Sequence, residues 1–264
     1  MEESIINSYK EVEDLNMFSA VSLKKYRYER LEAQKNVVNF LSSNQSQKIG
    51  LLDIGSGSSS LAYALLNRNL LKFADCVEPS KNRFDFSEKW KKDDGYYLVK
   101  NNNIDIMGFT QKKSYYDIVL IVDNTFSCMG LYYNDEDLKI ILRNLYFSLK
   151  KNGKLIIEVS LFTDFIEQIK ASTQNKVQEF ELGDSIGLWE YSLHSENIMH
   201  IKSKYVNKDF VKKEKEEYSK IYNKNKLITL MANSGFENIE CFQNFKKQEY
   251  MAEFSEKLVM ICAK

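Results

Sequence analysis

The stretch Leu51-Leu52-Asp53-Ile54-Gly55-Ser56-Gly57 decides how the rest of the chain is read. Ile49 to Ile54 is a short apolar run bounded by glycines, the composition of a buried strand. Ser58 to Asn69 follows as a helix, with Leu61, Ala62, Leu65 and Leu66 on one face. Strand, D-x-G-x-G, helix is a ligand-binding turn. Its glycines let the backbone pass close to a ligand, and free N–H groups at the helix start favour a carboxylate or phosphate. In open α/β sheets such a turn lies beyond the carboxyl ends of the strands, where ligands bind.

Outward from this turn the pattern alternates. Phe73 to Val77 predicts a second strand, and Pro79-Ser80 a helix start. Tyr96 to Lys100 predicts a third strand and Tyr116 to Val122 a fourth, the strongest in the chain. Asn134 to Asp137 opens a helix whose acids suit the positive end of the helix dipole. Leu138, Ile141, Leu142, Leu145 and Leu149 share one face of it, and Asn152-Gly153 is read as its close. Lys154 to Val159 is a fifth strand. Strands alternating with helices imply a parallel sheet covered on both faces.

The flanks read differently. Leu23, Tyr26, Arg30 and Val37 to Leu41 recur at helical spacing before the polar break Ser42 to Ser46. Beyond residue 160, Val177 to Leu182, Leu188 to His194 and Ile198 to Val206 predict short strands, the last two joined by Ser195-Glu196-Asn197. Lys212 to Glu217 is a charged stretch; a helix from Lys226 to Asn233 is capped by Gly235, and strands Phe236 to Phe242 and Lys257 to Ala263 end the chain. The expectation is one domain over residues 1–264: a helical cap (1–45), a ligand-binding core (46–160), an antiparallel lid inserted after the fifth strand (161–225), and a C-terminal helix and hairpin (226–264).

Composition bounds the function. Of 264 residues 44% are apolar, ordinary for a globular protein. Lys+Arg and Asp+Glu both number 37, so the net charge is +0 and the basic surplus of a nucleic-acid binder is missing. Cys76, Cys128, Cys241 and Cys262 form no C-x-x-C pair, which argues for free thiols and against a structural metal site. The start Met1-Glu2-Glu3 has no signal-peptide pattern and no apolar run is long enough to span a membrane, so a cytoplasmic protein is expected, as monomer or homodimer.

A Gly-x-Gly turn alone does not name its ligand. A dinucleotide would want a third glycine at the helix start, where Ser58 to Ser60 stand instead. Asp53 is a poor neighbour for a pyrophosphate and a good one for a ligand carrying an ammonium and a sulfonium. S-adenosylmethionine (SAM) has those cations, one carboxylate and no phosphate. Glu78 ends the second strand near the roughly 20-residue offset at which an acid accepts ribose hydroxyls. Asp105 is placed to bond an adenine amino group.

With these residues in place the sequence resembles the class I SAM-dependent methyltransferases, closely over residues 45–160 and more loosely at the C-terminal strands. The resemblance implies a doubly wound, Rossmann-like α/β sheet with a reversed final strand, and SAM as cofactor. Gly55, Ser56 and Gly57 would approach the methionine part of SAM, with Asp53 beside them. Glu78, followed by Pro79, matches the ribose-binding acid, Asp105-Ile106 the pair flanking adenine, and Asp123-Asn124-Thr125-Phe126-Ser127 the loop after the fourth strand. Leu149 to Leu155 is similar to the L-K-P-G-G-x-L stretch. Ser59 stands where a third glycine is common, Asn152 where proline-glycine is usual, and Cys128 where N-T-F-S is often followed by His.

The implied activity is methyl transfer to a nitrogen or oxygen of a small molecule. A peptide, protein or tRNA acceptor is the alternative, and a nicotinamide-dependent oxidoreductase a more distant one. No acid–base dyad is evident; His194, His200 and Tyr191 on the lid are the candidate bases for an oxygen acceptor. Tyr9, Phe18, Tyr26 and Tyr28 are aromatics that could close over the cofactor.

Overall fold

The structure, a computed structural model, describes residues 20–44, 47–162, 166–167, 169, 176–182, 185–206, 212–252 and 255–264. The N-terminal part of the cap (1–19, with Tyr9 and Phe18) and parts of the lid lie outside the described residues. In chain order the elements are α1 (Ala20–Ala33), α2 (Lys35–Asn44), β1 (Ile49–Ile54), α3 (Ser60–Asn67), β2 (Leu71–Val77), α4 (Lys81–Asp94), β3 (Val99–Asn102), β4 (Tyr116–Ile121) and α5 (Thr125–Tyr132). Then come α6 (Asp135–Ser148), β5 (Leu149–Ser160), β6 (Lys176–Leu182), β7 (Ser185–Ser195), β8 (Ile198–Val206), β9 (Lys212–Lys220), α7 (Lys224–Asn233), β10 (Glu237–Phe242) and β11 (Lys257–Ala263).

Seven strands form one sheet in the order β10-β11-β5-β4-β1-β2-β3. β1 to β5 run parallel, while β11 is antiparallel to both β5 and β10, giving the reversed C-terminal strand. All six residues of β1 are buried because helices cover both faces. Alternate side chains feed two cores. Leu52 and Ile54 join Val119, Ile121, Leu142 and Leu145 on one face; Ile49 and Leu51 join Leu61, Leu65, Phe86 and Trp90 on the other. The buried Asp75 on β2 is satisfied by the Tyr116 hydroxyl, which donates to its Oδ2 at 2.8 Å. Because the chain moves from β1 outward to β3 and then back to β4, the order reverses between β1 and β4. The crevice at their carboxyl ends is the ligand-binding position of doubly wound sheets.

Helix starts follow their caps. Asn134 accepts from the Glu136 and Asp137 N–H groups at the head of α6, and Asn223 from the Lys226 N–H at the head of α7. Four expectations shift. The third strand runs over Val99–Asn102 rather than Tyr96 to Lys100, because Tyr96 stacks on Tyr63 with ring centroids 4.4 Å apart while α4 terminates at Gly95. The fifth strand begins at Leu149, so α6 ends at Ser148 and Asn152-Gly153 lies within the strand, beside a register irregularity against β4. The loop after β4 turns within three residues, Val122 to Asn124, into the helix α5.

The charged stretch at Lys212 to Glu217 belongs to β9, the fourth strand of a separate antiparallel sheet ordered β6-β7-β8-β9. Its charges pair across strands, Glu216 with Lys202 at 3.3 Å and Glu214 with Lys204 at 3.4 Å. A charged edge strand resists pairing with other chains, and that charge hides it from a search for apolar alternation. This inserted sheet packs through β9 against α5, beside the carboxyl ends of the main sheet.

Candidate functional site

The floor of the site is the end of β1. Asp53 is 2% exposed, and its Oδ2 has no hydrogen-bond partner among the described residues. Burial, then the neighbouring Glu78 and Asp123 carboxylates, push its pKa up from 3.8 to about 7. Gly55 has φ +65, and a Cβ there would meet Thr125 Cγ2 at 2.3 Å, so only glycine fits. Gly57 has φ +55, and its N–H donates to Glu78 Oε2 at 2.8 Å. Ser59, with φ 58, holds the left-handed geometry that the usual third glycine adopts without steric cost.

Above this floor lies a cavity of about 670 Å³, lined in part by Gly55, Glu78, Pro79, Asp105, Ile106, Asp123 and Asn124. Asp53, Ser56 and Gly57 lie outside its lining. Glu78 spans the two turns: its Oε1 accepts the Ser80 N–H at 2.9 Å while its Oε2 holds Gly57. Asp105 Oδ1 accepts the Met107 N–H at 2.8 Å and the Tyr133 hydroxyl. Burial and the Asp105 charge both raise the Tyr133 pKa, and burial pushes that of the adjacent Tyr132 up to about 12.

Asp123 and Asn124 form the sharp corner into α5 with φ 55 and φ 62. The Asp123 N–H donates to Glu158 Oε2 at 3.1 Å, and Glu158 pairs with Lys257 at 3.0 Å. The Asn124 side chain is engaged elsewhere: it donates to Ser219 Oγ at 2.8 Å and accepts the Ser160 N–H at 3.1 Å. Asn124 therefore joins the inserted sheet to the main one. Arg30 of α1, also on the cavity wall, lies 3.9 Å from Asp123 Oδ2.

Strand alternation separates the candidate bases. Tyr191 pairs with Ile201 and Ile201 with Glu217, and these three, with Trp189, face the cavity. Ser192, His200 and Tyr218 form the adjacent row, on the other face. There His200 stacks on Tyr218 at 4.6 Å, its Nδ1 lies 3.3 Å from Ser192 Oγ and its Nε2 lies 3.2 Å from Glu216. His194 is exposed, with its ring 5.3 Å from Tyr218. The structure thus brings Tyr191 to the cavity and leaves both histidines behind the sheet, because a period-2 element sends residues of opposite parity to opposite faces.

Arg30, Arg83, Tyr132, Tyr133 and Glu217 line the cavity without having been singled out from the sequence as site residues. For Glu217 a signal existed, since reading β9 as a strand in register with Ile201 places it on the Tyr191 face. Arg30 and Arg83 carry no local signal; tertiary packing alone brings α1 and α4 to this edge. Of the cap aromatics within the described residues, Tyr26 packs edge-on against Phe86 at 5.7 Å and Tyr28 is exposed.

No protein-family model matches the chain, and no curated protein matches it. Solved structures do. The CcbJ methyltransferase from Streptomyces caelestis superposes with a TM-score of 0.72 at 14% identity, over 87% of this chain and 88% of that one. A SAM-dependent methyltransferase from Clostridium acetobutylicum gives 0.68 at 15% identity over 98% of both chains. SAM-bound CalS10, an amino pentose methyltransferase from Micromonospora echinaspora, gives 0.67 at 11% identity over 94% of this chain and 98% of that one. The chain has the fold of the class I SAM-dependent methyltransferases.

Proposed function

We propose that this chain is a SAM-dependent methyltransferase acting on a nitrogen or oxygen of a small molecule. The observation that carries the reading is Asp53, a buried carboxyl at the foot of the Gly55-Gly57 turn, one oxygen of which has no hydrogen-bond partner among the described residues. Burying an ionised carboxylate without a partner is costly, and a cationic ligand seated on this turn would relieve that cost. A pyrophosphate would worsen it, which argues against a nicotinamide cofactor. A cavity of about 670 Å³ also has room for a nucleoside-sized ligand with a second small molecule beside it.

In this reading Gly55, Ser56 and Gly57 hold the methionine end, with Asp53 beneath its cations. Glu78, held by two backbone amides, is the acceptor for the ribose hydroxyls, and Pro79 follows it along the wall. Asp105 and Ile106 flank the adenine. Asp123 and the Asn124 backbone close the corner. SAM bound there supplies an electrophilic methyl group, and the protein's part is to orient the acceptor and exclude water. The inserted sheet supplies the wall for that purpose through Trp189 and Tyr191. The amino pentose methyltransferase among the structural neighbours supports a small-molecule acceptor.

Calorimetry with SAM, S-adenosylhomocysteine and NADH tests the reading. The expected result is binding of the first two and not of NADH, with Asp53→Asn and Glu78→Ala each weakening SAM by about tenfold or more. Unchanged SAM affinity in both variants, or a preference for NADH, sinks it.

A further inference from the structure

We infer that the methyl acceptor is an amine, recognised on the lid side of the cavity by Glu217 against the rings of Trp189 and Tyr191. The inference rests on the methyltransferase reading above and adds the acceptor's chemistry to it. The register places Tyr191, Ile201 and Glu217 side by side across β7, β8 and β9, with Trp189 two residues along the same face of β7. The two rings meet edge to face, centroids 6.4 Å apart and planes at 90°. Among the described lid residues that line the cavity, Glu217 is the charged one.

The chemistry then selects the acceptor. A carboxylate beside aromatic faces suits an ammonium, through a charge-assisted hydrogen bond and cation–π attraction. On the lid side this arrangement disfavours a carboxylate or phosphate, while the cationic groups of the cavity wall, Arg30 and Arg83, stand on α1 and α4. An alcohol acceptor would need a base to take its proton, and a carboxylate is far too weak for an aliphatic hydroxyl. The lid's imidazoles, His194 and His200, lie on the other face of the sheet. An amine needs only to arrive as ammonium and release one proton to solvent, which leaves a lone pair on nitrogen. That lone pair forms the new C–N bond as the methyl carbon's bond to sulfur breaks, and the bonding pair stays on sulfur as a neutral thioether. The product is a methylated ammonium, which Glu217 can still hold.

The test first measures SAM affinity, then saturates the protein with S-adenosylhomocysteine. A panel of arylalkyl and aminosugar amines follows, each beside its alcohol and carboxylate isostere, read by thermal shift and calorimetry. Stabilisation confined to amines is expected. Glu217→Gln should weaken those amines about tenfold or more while SAM affinity stays within about twofold, and Glu217→Asp should recover part of the loss. Hits among alcohols or carboxylates, no amine hit, or amine affinity unchanged in Glu217→Gln each overturns the inference. Absence of SAM binding in the parent protein overturns the methyltransferase reading instead, so the two failures are told apart.

Discussion

Asn124 Nδ2 donates to Ser219 Oγ across 2.8 Å, tying the corner after β4 to the edge strand of the inserted sheet. The same side chain accepts the Ser160 N–H at 3.1 Å, so one amide positions the loop, β5 and β9 together. Asn124 also sits at φ 62, a region asparagine tolerates better than alanine. Asn124→Ala therefore loses both bonds and adds backbone strain, at a cost of about 2–4 kcal/mol. Asn124→Gly loses the bonds alone and should be about 1 kcal/mol more stable than Asn124→Ala. Chemical denaturation of the three proteins checks this order; equal stability of the two variants would remove the strain component.

The steric contact at Gly55 makes a sharper prediction. Gly55→Ala drives a Cβ to 2.3 Å from Thr125 Cγ2 and 2.7 Å from Thr125 Oγ1. It should destabilise the protein by about 2–4 kcal/mol and abolish SAM binding. Gly57→Ala meets nothing within 4 Å and carries only the strain of φ +55, about 1 kcal/mol. Adding Thr125→Ala to Gly55→Ala should restore part of the stability, since the remaining contact is with Thr125 Cβ at 3.1 Å. Thermal melts of the single and double variants decide the matter, and no recovery in the double variant counts against the contact.

How much of this was legible beforehand follows from which interactions are local. β1, β2 and β4 announce themselves because strands covered on both faces are apolar over most of their length, and the turn after β1 because its backbone demands glycine at Gly55. Asp53, Glu78 and Asp105 could be placed because each ends or follows a strand of the parallel sheet. β9 could not, since an edge strand bordering solvent is written in Lys and Glu. Nor could Arg30, Arg83 or the assignment of lid faces. Whether His200 or Tyr191 meets the cavity depends on one residue of register between strands, which spacing along a single strand does not carry.

In the proposed reading Asp53 links cofactor binding to pH. Its carboxyl has a folded pKa raised to about 7 from 3.8, so between those values the folded protein holds a proton that the unfolded chain has released. Protonation favours the fold, and this group's contribution falls as pH rises from about 4 through about 7, by an amount on the order of 4 kcal/mol for this fully buried group. A cationic ligand prefers the ionised form, so SAM affinity should rise as pH passes through about 7 and then level off. Asp53→Asn should flatten both profiles while weakening SAM. Calorimetry and denaturation from acid to mildly alkaline pH measure them, and parallel profiles in parent and variant would remove Asp53 from the linkage.

The outward histidines supply the contrasting case. His200 is held between Ser192 Oγ and Glu216 Oε2 at 3.3 and 3.2 Å, a serine–histidine–carboxylate alignment of the kind that activates nucleophiles. Its position gives it no such task here: it lies flat on Tyr218, on the face of the inserted sheet turned away from the cavity. The contacts are those of cross-strand neighbours and contribute about 0.2–1 kcal/mol each. His200→Gln and His194→Gln should therefore leave kcat within about threefold of the parent. Trp189→Ala, which strips a ring from the cavity wall, should raise the acceptor KM about tenfold or more. Steady-state kinetics of the three variants separates the faces: a kcat loss of about 100-fold in either histidine variant, with the fold intact by circular dichroism, would move the reacting groups to the other side of the sheet.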